Sequence, residues 1–289
     1  MSAPEKGYPA LGSGVWLVLL RNEFFKARHR LAFVVTLSFF AFINFMDFGD
    51  DFMRARRDDD FTHALPDAWS GIFSSDSVIL LIFASIAIIM LVSSEFSWRT
   101  ARQNVIDGLS KTQWFWGKAI LVVLVGLVFV VTKLLIGAGT ALAGTDFGAT
   151  TAPVLPLSVP AALGGLMLAF LSLGGLALLV SVTVRNAGPA MALWFFWITL
   201  GEQLLPSLVT RVLPATGAFF GFLPFSAAQK ILPFWVYDAT SYARIVAQAE
   251  AAEQAAPELP NLMLWMSVNA GWAVLFIAVA YVFFRRRDL

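Results

Sequence analysis

The stretch Ser93–Lys118, SSEFSWRTARQNVIDGLSKTQWFWGK, separates two long apolar runs and is unlike either. It is polar and carries Arg99, Arg102, Lys111 and Lys118, yet it also holds Trp98, Trp114 and Trp116. Wound as a helix at about 100° per residue, Glu95 to Leu109 puts Trp98, Ala101, Val105 and Leu109 on one apolar stripe. Glu95, Arg99, Arg102, Gln103 and Asp107 gather on the other side. Glu95 and Arg99 are spaced as an i,i+4 pair, a term of about 0.3–0.5 kcal/mol. The expected helix stops at Asp107-Gly108, a dipeptide suited to a tight reversal. Ser110 then begins a second helix, because Gln113 three residues on completes a capping box. Trp114 and Trp116 fit membrane-interface anchors on the way into the next apolar run. A solvated loop joining two spans needs neither a cap nor an amphipathic face.

The whole chain explains why such a segment stands out. Its 289 residues are 58% hydrophobic and 13% charged, with a mean hydropathy of +0.75. Soluble domains carry about 25% charged residues, so this balance belongs to a polytopic membrane protein. The net charge of +1 gives no reason to expect nucleic acid as a partner. With no cysteine there is no disulfide, thiol chemistry or cysteine metal site. His29 and His63 are far apart and stand in no motif.

A transmembrane helix needs about 20 mostly apolar residues. Six windows qualify, at 31–48, 77–94, 118–142, 159–184, 188–205 and 263–284. The first starts behind a basic stretch and lacks a small-residue cleavage site, so it is read as a retained span. With both termini in the cytoplasm, thirteen of the twenty Lys and Arg lie inside and six outside, with Lys133 within a span. The outer six fall in long loops that influence orientation little. Ahead of span one, WLVLLRNEFFKARHRL (Trp16–Leu31) mixes apolar residues with Arg21, Glu23, Lys26, Arg28 and Arg30. Phe24 and its neighbours have the composition of a helix lying in the cytoplasmic interface, although a plain positive flank would share it. Between spans five and six, VLPATGAFFGFLPFSAAQKILPFW (212–235) is apolar, but Pro214, Pro224 and Pro233 interrupt it. A re-entrant or interface-lying outer hairpin is expected there, followed by an exposed helix ending before Pro257. The expected fold is thus one all-α membrane domain over 1–289.

Ionisable groups inside spans are functional candidates. Lys133 lies fifteen residues beyond Lys118, about 22 Å deeper, where snorkelling to the outer headgroups competes with a substrate contact. Glu202 near the end of span five carries the same two readings, with exposure at the outer interface favoured. Asn44 and Asp47 are expected to close span one. DFGDDFMRARRDDDF (Asp47–Phe61) does not fit a calcium loop, and its arginines offer partners for its acids. Gly164-Gly165 and Gly174-Gly175 permit close helix approach in span four. No nucleophile motif, His-Glu motif or pair of intramembrane aspartates is present, which disfavours an intramembrane enzyme.

The pattern E-F-x-W-R-T-A-R-Q-x-x-x-D-G-L-S-K-x-x-x-x-x-G-K resembles the membrane subunits of type 2 ABC (ABC-2) exporters. Glu95, Arg99, Thr100, Arg102, Gly108, Ser110, Lys111, Gly117 and Lys118 match position by position, with Arg99 standing where that family often has Gly. The resemblance extends to six spans, an interface helix and re-entrant outer helices. It implies that Glu95, Trp98, Arg99, Arg102, Gln103, Asp107 and Gly108 form a coupling helix docking on a separate ATPase subunit. It further implies ATP and Mg held by that partner, a second permease copy or related chain, and a bacterial inner membrane. Within this chain a phosphate loop is missing, because Ala119 follows Gly117-Lys118 and Thr112 occupies the place of the first Gly. The expected function is export of an amphipathic, lipidic or peptidic substrate. The alternative is a non-transporting module for mechanotransmission, immunity or assembly.

Overall fold

In the computed structural model of the chain, the described residues are 13–58, 61–106, 109–148, 153–213 and 217–287. The expected turn at Asp107-Gly108 falls outside them, as do the side chains of Trp16 and Val105. Among the described residues every regular element is a helix. Six helical segments are long and apolar enough to cross a membrane. This is an all-α membrane protein.

Ser13–Arg28 forms α1, which lies against the start of α6 (Lys111–Gly144) and breaks at His29-Arg30 before α2 (Leu31–Ala55). α2 is seven residues longer than its apolar window, because nothing after Phe48 breaks a helix. Asn44 and Asp47 therefore do not close the span. Asn44 is buried inside α2 and donates from Nδ2 to the Phe40 carbonyl at 2.9 Å. Asp47 accepts from Ser75 Oγ at 2.5 Å, across to the turn after the short α3 (Ala68–Ser74). At the end of α2, two of the three arginines of the acidic stretch rest on rings. Arg54 stands 4.5 Å from the Phe61 centroid and Arg56 5.4 Å from that of Phe52.

α4 (Ser77–Ser97) is apolar on all sides, which suits a helix enclosed by others. It ends sooner than the continuous Glu95–Leu109 helix read from the sequence. Trp98 caps it, Arg99 takes a left-handed φ of 57°, and a separate α5 begins at Thr100 and runs to Ile106. α6 opens on the expected capping box: Gln113 N donates to Ser110 Oγ at 3.1 Å and Ser110 N to Gln113 Oε1 at 2.9 Å. Its 34 residues reach about 51 Å, well beyond the ~30 Å of a hydrocarbon layer.

α7 (Ser158–Val184) is the enclosed centre, packed by α4, α6 and the last helix, α13 (Leu262–Arg286). A Cβ on Gly174 would come within 2.9 Å of Val122 on α6 and 3.3 Å of Ile88 on α4, so that glycine sets the approach of both. Span five starts as α8 (Ala187–Phe196), loosens into a single wide π-type turn at Trp197–Gly201 and continues as α9 (Glu202–Val212), with Pro206 inside it. Such turns and internal prolines are the usual causes of a kink.

The segment between spans five and six is a broken series: α10 (Gly217–Phe220), α11 (Pro224–Gln229), a 3-10 turn at Phe234–Val236 and α12 (Ala239–Ala251). Pro224 sits in the first turn of α11 and Pro233 just before the 3-10 turn, positions where a missing N–H costs nothing. α12 is capped by Asp238, whose Oδ2 accepts from Ser241 N at 2.9 Å. α11 packs on α7 and α13. Tyr237 presses on α7 so closely that a Cβ on Gly165 would lie 1.6 Å from its hydroxyl.

Candidate functional site

The C-terminal part of α1, the end of α4 and the start of α6 converge on Lys118. Its side chain is fully enclosed and donates to Glu23 Oε2 at 2.6 Å and to Glu95 Oε1 at 2.7 Å. Neither carboxylate has an idle oxygen. Glu23 Oε1 accepts from Lys26 at 3.2 Å, and Glu95 Oε2 accepts from Trp114 Nε1 at 3.2 Å. Arg30 approaches Glu95 to 3.9 Å, donates to Ser94 Oγ and stacks 4.8 Å from the Trp98 ring centroid. Glu23 is 6% exposed and Glu95 3%. Burial disfavours the charged form of Glu23, but Lys118, then Lys26, outweigh it and hold its carboxyl below the ordinary 4.5. Two acids and one enclosed base, closed off by Lys26 and Arg30, tie three helices from different parts of the chain into one node.

That arrangement corrects the face assigned to Glu95. Instead of pairing with Arg99 and pointing outward, it turns into the protein toward Lys118. The reason is the left-handed Arg99, which ends α4 one turn after Glu95 and starts α5 on a new axis. Trp98 also leaves its expected place on the apolar stripe. It is 66% exposed, while Ala101 remains buried. Arg99, Arg102 and Gln103 are exposed on the outside of this corner. On α1, Phe24 is exposed, Lys26 is half-exposed with its ammonium on Glu23, and Arg28 stands over the Phe25 ring at 4.8 Å.

The two candidates within spans are both enclosed. Lys133 is 1% exposed, donates to the Ser75 carbonyl and lies 5.2 Å from the Phe48 ring centroid. It therefore does not snorkel into the outer headgroups; α3 and its following turn close over it. Glu202, expected at the outer interface, is likewise buried. Its carboxylate accepts from Phe225 N at 3.0 Å, Ser226 N at 2.9 Å, Ser226 Oγ at 3.2 Å and Trp197 Nε1 at 2.9 Å. It holds the first turn of α11 onto span five. Lys133 and Glu202 stand in separate places, each engaged with its own neighbours, and no contact joins them among the described residues.

Three features escaped the sequence reading. The Glu23–Lys118 pair spans 95 positions, although both residues border apolar stretches in a chain poor in charge. Trp114 acts as a donor to Glu95 as well as an interface residue. Arg185, at the C-terminus of α7, shares a pocket with Arg99 and Arg102.

The node joins α1 to the end of one span and the start of the next, beside an exposed basic corner. The family model described as ABC-2 family transporter protein matches residues 19–201. The chain belongs to that family. The match begins within α1 and ends with the π-type turn of span five, so it includes the whole node and the α5 corner. No curated protein matches the chain. As an ABC-2 family protein it is a membrane transport subunit, of a kind that is generally non-catalytic.

Proposed function

We propose that this chain is the permease subunit of an ATP-driven exporter. A separate ATPase subunit, holding ATP and Mg, docks on α1 and on the Trp98–Ile106 corner. The permease works as a pair with a second copy or a related chain. Closure of the ATPases pushes the corner, and the path between the two permeases opens toward the outer face. The observation that carries this reading is the enclosed Glu23–Lys118–Glu95 node, because a push on α1 meets α4 and α6 through it, and α5 follows directly on the end of α4. The placement of Lys and Arg supports cytoplasmic termini, and the membrane in this reading is a bacterial inner membrane. The broken helices between Val212 and Leu262 suit a hairpin folded back on the outer face.

A groove of about 600 Å³ supports an amphipathic or lipidic cargo, with peptidic cargo of the same character also suited. Leu31, Ala32 and Met90 line it, and Lys26, His29 and Arg30 edge it. One observation favours the second reading, a module that passes motion without cargo. Lys133 and Glu202 are both engaged internally, so neither offers a charge to a path.

The test is capture of the tagged full-length chain from its native membranes, with azido-ATP labelling of whatever co-purifies. An azido-ATP-labelled polypeptide with Mg-dependent ATP hydrolysis, retained in stoichiometric amount, is expected. A chain that purifies intact with no ATP-binding partner contradicts the permease reading.

A further inference from the structure

The groove of about 600 Å³ beside the break between α1 and α2 has two unlike parts. Its polar rim is Lys26, His29 and Arg30 from that break, with Ser94 and Trp98 from the end of α4. Its apolar part is Leu31 and Ala32, in the first turn of span one, and Met90 on α4. Met90 stands eight positions before Trp98, so the groove follows α4 for about 12 Å. Leu31 is 77% exposed and Trp98 66%.

The rim carries more positive charge than its acids balance. Among the described residues, Lys26, Arg30 and Lys118 share two carboxylates, Glu23 and Glu95. Lys118 is fully enclosed between both acids, so the surplus falls to Lys26 and Arg30, the two members that reach the groove. Lys26 shares Glu23 with Lys118, and its side chain is 37% exposed. Arg30 reaches Ser94 Oγ with one nitrogen and stands 3.9 Å from Glu95 with another, which leaves donors of its five-donor fork unspent. A cation stacked over an open tryptophan, 4.8 Å from the ring centroid at the start of a span, suits a phosphate at headgroup depth.

The two parts together select the occupant. A soluble anion has no use for the apolar length, and a neutral amphiphile has none for the surplus charge. A zwitterionic headgroup brings its own ammonium to a rim that is already cationic. We propose that the groove holds an anionic phospholipid, with its phosphate at Lys26, His29 and Arg30 and an acyl chain along Leu31, Ala32 and Met90. Such a lipid joins the α1–α2 break to the end of α4 and, at Ala187, to the start of α8. This rests on the amphiphile reading of the groove given above and names the class it takes, but it needs no ATPase.

The test titrates the tagged full-length chain, in detergent, with dioleoyl phosphatidylglycerol and separately with dioleoyl phosphatidylethanolamine, and reads bound lipid by native mass spectrometry. Phosphatidylglycerol is expected to bind severalfold more tightly. The double variant Lys26→Gln and Arg30→Gln should weaken phosphatidylglycerol about tenfold and erase the preference. Ala32→Phe fills the apolar part and should weaken both lipids alike. Lys230→Gln, a cation on the segment between spans five and six, should bind as wild type does. If the double variant does not fold, Lys26→Gln alone carries the test, with a severalfold loss of phosphatidylglycerol expected. Equal binding of the two lipids by the wild type, undiminished binding by the Lys26 variants, or the same loss in Lys230→Gln overturns the proposal. Displacement of the lipid by an equal concentration of sn-glycerol 3-phosphate assigns the rim to a soluble phosphate and overturns it too. Each of these results leaves the permease reading standing. A chain that captures no ATPase yet holds phosphatidylglycerol in this groove contradicts the permease reading and supports this one.

Discussion

Lys118 is a fully enclosed cation whose cost of desolvation is offset only because two carboxylates meet it at 2.6 and 2.7 Å. Removing the ammonium leaves two acids facing one another in a dry site. Lys118→Met is therefore expected to lower stability by about 3–5 kcal/mol, whereas the neutral set Glu23→Gln, Glu95→Gln and Lys118→Met recovers most of it. Thermal unfolding in detergent checks this, and an equal loss in both variants contradicts it. The sign with pH follows from Glu23. Its folded value lies below the ordinary 4.5, so its contribution is present above that value and is lost as pH falls through the folded one. Much of this residue-scale picture was out of reach of the sequence. Lys118 and Glu95 were visible as motif positions and Glu23 as part of an interface helix, but their pairings span 95 and 23 positions. Spacing rules reach only one or two helical turns. Glu202 failed for the same reason, since Phe225 and Ser226, which enclose its carboxylate, come from α11.

The elements were more legible where the signal was local. The capping box at Ser110, the six apolar windows and the proline-broken outer segment depend on neighbours in sequence, and each is present in the structure. The α4–α5 corner is the exception. Nothing between Glu95 and Ile106 is a helix breaker, so a continuous helix was the natural reading. The chain turns left-handed at Arg99, the position where the resembled family often carries Gly, and Gly is the residue that adopts this conformation without strain. Bringing Glu95 to Lys118 while turning Arg99 and Arg102 outward requires the break. The segment of short helices before α13 is held by a different device, the seat of Tyr237 on Gly165 of α7. Gly165→Ala forces the phenol out of that seat and is expected to cost about 1–3 kcal/mol. The loss should be partly relieved by Tyr237→Ala in the same chain. A Gly165→Ala protein that unfolds at the wild-type temperature contradicts this packing.

At the scale of the molecule, composition alone indicated a polytopic membrane protein, and the six spans and family membership agree with it. What composition leaves open is how, in the proposed function, a force applied at the α4–α5 corner would reach the spans. The node would supply that path: α1, α4 and α6 share one enclosed ion cluster, and α4 and α6 in turn pack on α7 through Gly174. In the proposed function, docking and transmission are thereby separated in space. Arg99 and Arg102 face outward, while Glu95 and Lys118 face inward, so a variant of the second pair should leave a docked but idle complex. The measurement that addresses this most directly is Mg-dependent ATP hydrolysis by the purified complex, set against the ATPase alone. For the neutral Glu23→Gln, Glu95→Gln, Lys118→Met chain, the ATPase should remain bound while hydrolysis falls to the rate of the isolated ATPase. Hydrolysis at the wild-type complex's rate in that variant would contradict the node's role in transmission.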